Sequence, residues 1–322
     1  MAPVFPEQER GAWIMAQRPA RTTEPDSDNP RAFFLEEERM ECGRIARSGV
    51  IFLTNKECPW RCLMCDLWKD TTSRTVPAGA IPRQIDFALR TWSEEVAAIE
   101  QIKLYNSGSF FDSAAIPPGD YLAIAQKMGF ARHVLVESHP RLVGPKALRF
   151  RDMLAGSLEV AMGLETAHPV VLERLNKKFN LSHFAQAAAL LRKERIAVRV
   201  FVLVNPPFMG EAEGLEWAVK TADFAFSCGA SVVSLIPTRA GNGAMDRLLE
   251  AGEFSPPRLS TLESAVQSAL ALKKGRVFAD TWNLEPMSLC AHCLEPRRQR
   301  LQAVNLAQRD LPPFACPACD GR

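Results

Sequence analysis

The feature that most constrains this chain is a regular alternation of short β-branched runs with longer amphipathic ones. Strand character falls at 50–54, 100–105, 134–136, 158–163, 198–204, 231–236 and 276–280. Helical periodicity fills the intervals at 84–99, 118–129, 144–155, 181–195, 212–227 and 257–273. Strands that alternate with helices require right-handed crossovers and a parallel sheet. Six such repeats over 49–285 predict an α/β fold, a barrel or partial barrel in preference to a small open sheet. Ligands in such folds gather at the carboxyl ends of the strands.

The flanks divide the chain into three expected parts. Residues 1–48 form an arm and a helix: 1–30 is rich in Pro, Arg, Asp and Thr, and 31–47 has helical spacing that Gly49 ends. Residues 49–285 carry the barrel, and 286–322 form a cysteine-rich extension. An apolar fraction of 47% is enough for a large core, and a formal charge of +2 gives no general footprint for nucleic acid. No apolar run approaches the ~20 residues that a membrane helix needs. Residues 1–18 lack a signal-peptide core, so a cytoplasmic protein is expected.

Seven of the nine cysteines fall in tight spacings, which reads as metal binding in a reducing compartment. Cys42 and Cys228 stand alone and are expected to be small buried side chains. The loop Cys58-Pro59-Trp60-Arg61-Cys62-Leu63-Met64-Cys65 follows the first barrel strand. Three thiolates with no fourth ligand beside them suggest an iron–sulfur cluster with one iron left open. The alternative is a structural zinc site completed by a distant His or Cys.

On Cys58, Cys62 and Cys65 the chain resembles the radical S-adenosylmethionine superfamily, whose signature is CxxxCxxC after the first strand of a partial (β/α)6 barrel. The resemblance covers about 49–285. It implies a [4Fe–4S] cluster whose open iron binds the amino and carboxylate groups of S-adenosylmethionine. It also implies reductive cleavage to methionine and a 5′-deoxyadenosyl radical that abstracts hydrogen, with a reductant such as flavodoxin or ferredoxin. Met64 stands where the family often has an aromatic residue near the adenine. Ser107-Gly108-Ser109 ends the second strand, where the family has a glycine-rich turn against the amino group. Glu137 and Glu165 close the third and fourth strands and are candidates to hold the ribose or the ammonium group. Lys177 matches a basic residue of the family and is a candidate partner of the methionyl carboxylate, while Lys178 replaces a common glycine. Asn205-Pro206-Pro207-Phe208 ends the fifth strand, where exposed main chain can meet adenine. Together with Gly163-Leu164-Glu165-Thr166 and Ile236-Pro237-Thr238, these phrases are similar to the branch of the elongator catalytic subunit and the archaeosine-forming tRNA-modifying proteins.

Cys290 and Cys293, then Cys316 and Cys319, make two CxxC pairs able to close a four-thiolate site, with zinc or an auxiliary iron–sulfur cluster as the expected metal. Residues 286–322 hold five Arg against three acidic residues, so the stretch with Arg297, Arg298 and Arg300 reads either as a solvated helix face or as a basic surface able to contact RNA phosphates. Three functions follow: radical chemistry on tRNA or other RNA, the same chemistry on a small molecule or peptide, and a non-catalytic metal-bound binding module.

Overall fold

The computed structural model describes residues 4–21, 23–288, 290–316 and 318. The chain opens with α1 (Arg10–Gln17), then β1 (Ala32–Arg39) and β2 (Ile45–Phe52). Next come α2 (Ala80–Trp92), β3 (Ile99–Tyr105), α3 (Tyr121–Lys127), β4 (His133–Glu137) and α4 (Pro145–Met153). β5 (Ser157–Glu165), α5 (Pro169–Arg174), α6 (Leu181–Lys193), β6 (Ala197–Val204) and α7 (Glu211–Ser227) follow. The last elements are β7 (Val232–Pro237), α8 (Ala244–Glu250), α9 (Leu259–Ala271), β8 (Arg276–Ala279) and α10 (Ala291–Ala307). All eight strands form one sheet in sequence order, antiparallel at β1–β2 and parallel from β2 to β8. Of the barrel and partial barrel that the alternation allows, this is the α/β partial barrel, open between β1 and β8.

One expected helix is a strand pair. Residues 32–39 and 45–52 form an antiparallel hairpin, and Gly49 lies inside β2. A side chain at Gly49 would come within 2.8 Å of both Ile102 and Trp92, so the glycine serves close packing. The run Glu36-Glu37-Glu38 reads as a solvated helix face, yet Glu38 is 4% exposed. Its charge is answered inside the sheet. Cys42 is exposed at the tip of the hairpin rather than buried, because the turn that Gly43 closes at φ 85° projects into solvent.

Glu38 shows how strongly the sheet curls. Its carboxylate accepts from Arg199 of β6 at 2.5 and 3.1 Å, pairs with Lys103 of β3, and lies 3.8 Å from Arg276 of β8. Arg199 also donates to Glu159 of β5 at 2.8 Å, and Lys103 to Glu36 at 2.6 Å. A residue on the first strand therefore touches the third, sixth and eighth. Burial pushes the Glu38 carboxyl up, but Arg199 and Lys103 together hold it well below the usual carboxylate range.

Apolar residues on the other face, such as Ile102, Val134, Val160, Val200 and Val233, pack under the helices in the main core. A second core covers the carboxyl ends of the strands. It joins Phe5 and Ile14 of the N-terminal segment to Leu63, Val171, Leu175, Leu203, Met245 and Phe254. The arm is thus packed across the barrel mouth and contains a helix, α1, that the sequence pattern does not announce.

α10 lies against β1 and β8, the two edges that the open sheet leaves, and buries Leu301 and Val304 in the main core. Among the described residues, no helix is long and apolar enough to cross a membrane.

Replacing Glu38 with Gln leaves Arg199 and Lys103 short of a buried counter-charge and should cost about 3–5 kcal/mol in denaturant unfolding. Because the folded carboxyl titrates below its ordinary value, its contribution is present above the usual Glu range and lost as pH falls below it. Acid unfolding should therefore be less steep in Glu38→Gln than in the wild type.

Candidate active site at the strand ends

The cysteine loop grows from the end of β2 and is pinned at its base. Leu53 N–H donates to Tyr105 O at 2.7 Å, and the buried Gln84 amide bonds both N–H and C=O of Thr54 at 2.8 Å. Glu57 N–H and Thr72 N–H close the loop's neck on Thr72 O and Asn55 O. Its far side is held by other strand-end segments. Leu63 N–H donates to Leu175 O at 2.9 Å, Asn176 Nδ2 to Arg61 O at 2.6 Å, and Asn242 Nδ2 to Leu63 O and Cys65 O at 2.8 and 3.1 Å. Arg18 and Arg21 of the arm pair with Glu57 at 2.7 and 3.0 Å. Met64 packs beside the second core.

Burial pushes all three loop thiols up, Cys65 to about 12, and the proximity of Cys62 adds to the rise at Cys58 and Cys65. Such thiols keep their protons until a cation takes the place of those protons, which suits a metal site rather than a free nucleophile.

Gly108 sits directly on this loop, since a Cβ there would lie 3.1 Å from the Cys58 Cβ. The turn that carries it is held from beneath by Glu137. That carboxylate accepts from Asn106 N–H at 2.5 Å and from Gly108 N–H at 3.4 Å. Burial raises Glu137 to about 7, against the pull of these N–H groups. Ser109 is buried, with its hydroxyl 3.0 Å from that of Ser138 and accepting from His139 N–H at 3.3 Å. Ser107 adopts φ 53°, which presents the turn toward the loop. In this arrangement Glu137 and Ser109 shape the turn.

Glu165 and Lys177 form a buried ion pair at 2.5 Å. Gly163 makes room for it: a Cβ there would fall 2.2 Å from Glu165 Oε1 and 2.7 Å from Lys177 Nζ. Glu165 has φ 68°, and the pairing of β5 with β6 shifts register between Gly163 and Glu165. Burial pulls the Lys177 ammonium down, but the Glu165 carboxylate outweighs it and raises the group above its ordinary value. Lys178 takes φ 60° in the place where the resemblance expects a glycine.

Several residues of the site lie inside or beside the strand-end phrases but have no side-chain role assigned to them by the sequence. His139 stacks on Trp60 at 4.3 Å, meets Phe179 edge-on, and places Nε2 2.8 Å from Lys177 O. Burial first, then Lys177, lowers it to about 3, so the ring is neutral and serves to position the lysine loop. Asn106 is wholly buried, and neither of its side-chain amide atoms has a partner; Asn205 Oδ1 at the end of β6 is likewise unpartnered. Unsatisfied buried amides require an explanation such as a ligand or water. An Asn at the end of two barrel strands is the pattern that could have revealed them.

Beneath the turn, aromatic rings cross the barrel interior. Trp282, 59% exposed, contacts Phe34 at 5.1 Å; the row continues to Phe52 at 6.1 Å, Tyr105 at 5.4 Å and Phe201 at 6.3 Å. β3 and β6 are not neighbours, so Tyr105 and Phe201 face one another across the lumen.

The C-terminal cysteines gather separately. Cys290 Sγ is 3.3 Å from Cys293 Sγ and 3.6 Å from Cys316 Sγ, and the three sulfurs lie within 4.8 Å of one another. Among the described residues this is the one group of three potential metal ligands so gathered. Cys319 lies outside the described residues. The tail arginines are engaged: Arg297 and Arg300 with Glu263, Arg298 with Glu285 and Glu295. Paired in this way, they do not form the open basic surface that composition allowed.

A curled parallel sheet with a cysteine loop after its first parallel strand defines the class: the chain has the fold of radical S-adenosylmethionine enzymes. A radical SAM methyltransferase from Sphaerobacter thermophilus superposes with a TM-score of 0.51 at 15% identity, over 86% of this chain and 82% of that one. Elp3 of Methanocaldococcus infernus gives 0.53 at 14% identity, over 69% of this chain and 59% of that one, which is less than two thirds of its length. In sequence the chain is similar to archaeosine synthase subunit beta of Methanosarcina acetivorans, 25% identical over 240 residues, 71% of this chain and 68% of that one. It is also similar to an uncharacterized protein of Methanocaldococcus jannaschii, 23% identical over 269 residues, 80% and 74% of the two chains. No protein-family model matches the chain.

Lys177→Met should strand Glu165 as a lone buried charge and destabilise the fold by about 3–5 kcal/mol, measured by denaturant unfolding. The double substitution Lys177→Met, Glu165→Leu should recover much of that loss.

Proposed function

We propose that this chain is a radical S-adenosylmethionine enzyme, with Cys58, Cys62 and Cys65 as ligands of a [4Fe–4S] cluster. The observation that carries the reading is the close seat of Gly108 on Cys58, with unpartnered Asn106 and the Glu165–Lys177 pair around the same loop. When bound, the reduced cluster supplies the electron that cleaves S-adenosylmethionine to a 5′-deoxyadenosyl radical. The protein's own groups orient and enclose. The Ser107–Ser109 turn, held by Glu137, offers main chain to the amino group, and Lys177 offers its ammonium to the carboxylate. The arm and second core cover the strand ends and exclude water, a condition that radical chemistry requires. The electron comes from a small reductant such as flavodoxin or ferredoxin in the cytoplasm. The C-terminal cysteines hold a second metal, zinc or an auxiliary cluster.

The substrate we propose is a base in tRNA. The partly exposed aromatic row from Trp282 to Phe201 favours a flat ring over a peptide, and the similarity to archaeosine synthase subunit beta agrees.

Anaerobically reconstituted protein given dithionite and S-adenosylmethionine should release 5′-deoxyadenosine, and Cys62→Ala should release none. Equal product from Cys62→Ala would sink the cluster assignment. For the substrate, Trp282→Ala should weaken binding of bulk tRNA about tenfold, in keeping with ~1–3 kcal/mol per stacked base, while 5′-deoxyadenosine release without RNA stays unchanged. Unaltered tRNA affinity would count against the aromatic row as a base track.

A further inference from the structure

The sulfur spacings of the tail discriminate between its two candidate metals. Thiolates on one tetrahedral ion with Zn–S bonds of ~2.3 Å stand ~3.8 Å apart along each tetrahedral edge. Thiolates on a four-iron cluster sit on its outer corners and are separated by the width of the cluster as well. Cys290 Sγ lies 3.3 and 3.6 Å from the sulfurs of Cys293 and Cys316, at the spacing of a single ion. Cys293 and Cys316 are buried, and Cys290 is the residue before α10.

What the cysteines hold in place is equally specific. β8 is paired with β7 on one side only, which leaves N–H and C=O groups of Val277 and Ala279 on its outer edge. Two side chains at the end of α10, Asn305 and the capping Gln308, satisfy them as a neighbouring strand would. Asn305 accepts from Ala279 N–H at 2.8 Å and donates to Ala279 O at 2.9 Å, while Gln308 does the same for Val277 at 2.8 and 2.9 Å. On the opposite edge, Arg39 of β1 donates to Leu306 O, and Arg276 of β8 donates to Arg39 O at 2.9 Å. An open edge invites pairing with other chains unless it is covered. After α10 the chain turns back along the helix, with Arg300 bonded to Asp310 and Pro312, to bring Cys316 to the helix start.

We propose that Cys290, Cys293 and Cys316 bind one tetrahedral zinc ion, and that the ion fastens α10 across the β1 and β8 edges. This site does not depend on the radical reading, and its test removes the first cluster. The full chain carrying Cys58→Ala, Cys62→Ala and Cys65→Ala is purified anaerobically from medium containing both iron and zinc. It should hold about one zinc per chain, show no ~410 nm band, and lose zinc at least tenfold on the further change Cys293→Ser. Iron with that absorbance in place of zinc would overturn the assignment, as would a metal-free chain with a Cys290–Cys293 disulfide.

The fastening is read by hydrogen exchange. In Cys316→Ser, or in the intact protein stripped of zinc by a chelator, the amides of Val277 and Ala279 should exchange about tenfold faster, and those of Val200 and Val202 in β6 should not. Unchanged rates at 277 and 279, or an equal rise in β6, would show that the ion does not fasten the helix.

Discussion

The structure depends on a charge buried where the sheet closes on itself. Glu38, on the strand that runs antiparallel to its neighbour, reaches Lys103, Arg199 and Arg276 on three other strands. Each of those cations would be costly in the barrel interior without it. The carboxylate thus links the curvature of the sheet to the hairpin at its edge, and curvature brings β3 and β6 face to face. Without that curl, the turn after β3, the bulge of β5 and the cysteine loop after β2 would not converge.

Above this floor, the strand ends are built by a repeated device: a buried polar side chain holds a loop's backbone so that the loop can present something else. Glu137 gathers the N–H groups of the 106–108 turn. Gln84 substitutes for a strand at Thr54. Asn176 and Asn242 tie the cysteine loop to segments far away in sequence, and His139 holds the carbonyl of Lys177. α10 applies the same chemistry at the sheet edge through Asn305 and Gln308. Asn106 is the exception, with both of its side-chain amide atoms unpartnered, while Asn205 lacks a partner only at Oδ1.

Much of this was legible in the sequence because β-branched runs and cysteine spacings are local signals. The seven parallel strands fall within about five residues of their expected positions, and each expected crossover helix is present, but the short helices α5 and α8 have no counterpart in the expected pattern. The hairpin was not legible. Glu36-Glu37-Glu38 resembles a solvated helix face unless one knows that Lys103 and Arg199 converge on it from strands 65 and 161 residues away. The arm was opaque for the same reason: Phe5 and Ile14 find partners only once Leu63, Leu175 and Met245 are assembled. Composition misled in the tail, where arginines that suggest a basic surface are paired with Glu263, Glu285 and Glu295.

The central claim is that the loop cysteines hold a cluster with one iron open to S-adenosylmethionine. Electron paramagnetic resonance of the reduced, reconstituted protein tests it most directly. The account predicts a [4Fe–4S]⁺ signal that changes shape when S-adenosylmethionine is added and is missing from Cys58→Ala, Cys62→Ala, Cys65→Ala protein. A signal indifferent to S-adenosylmethionine, or one that survives the loss of those three cysteines, would contradict it.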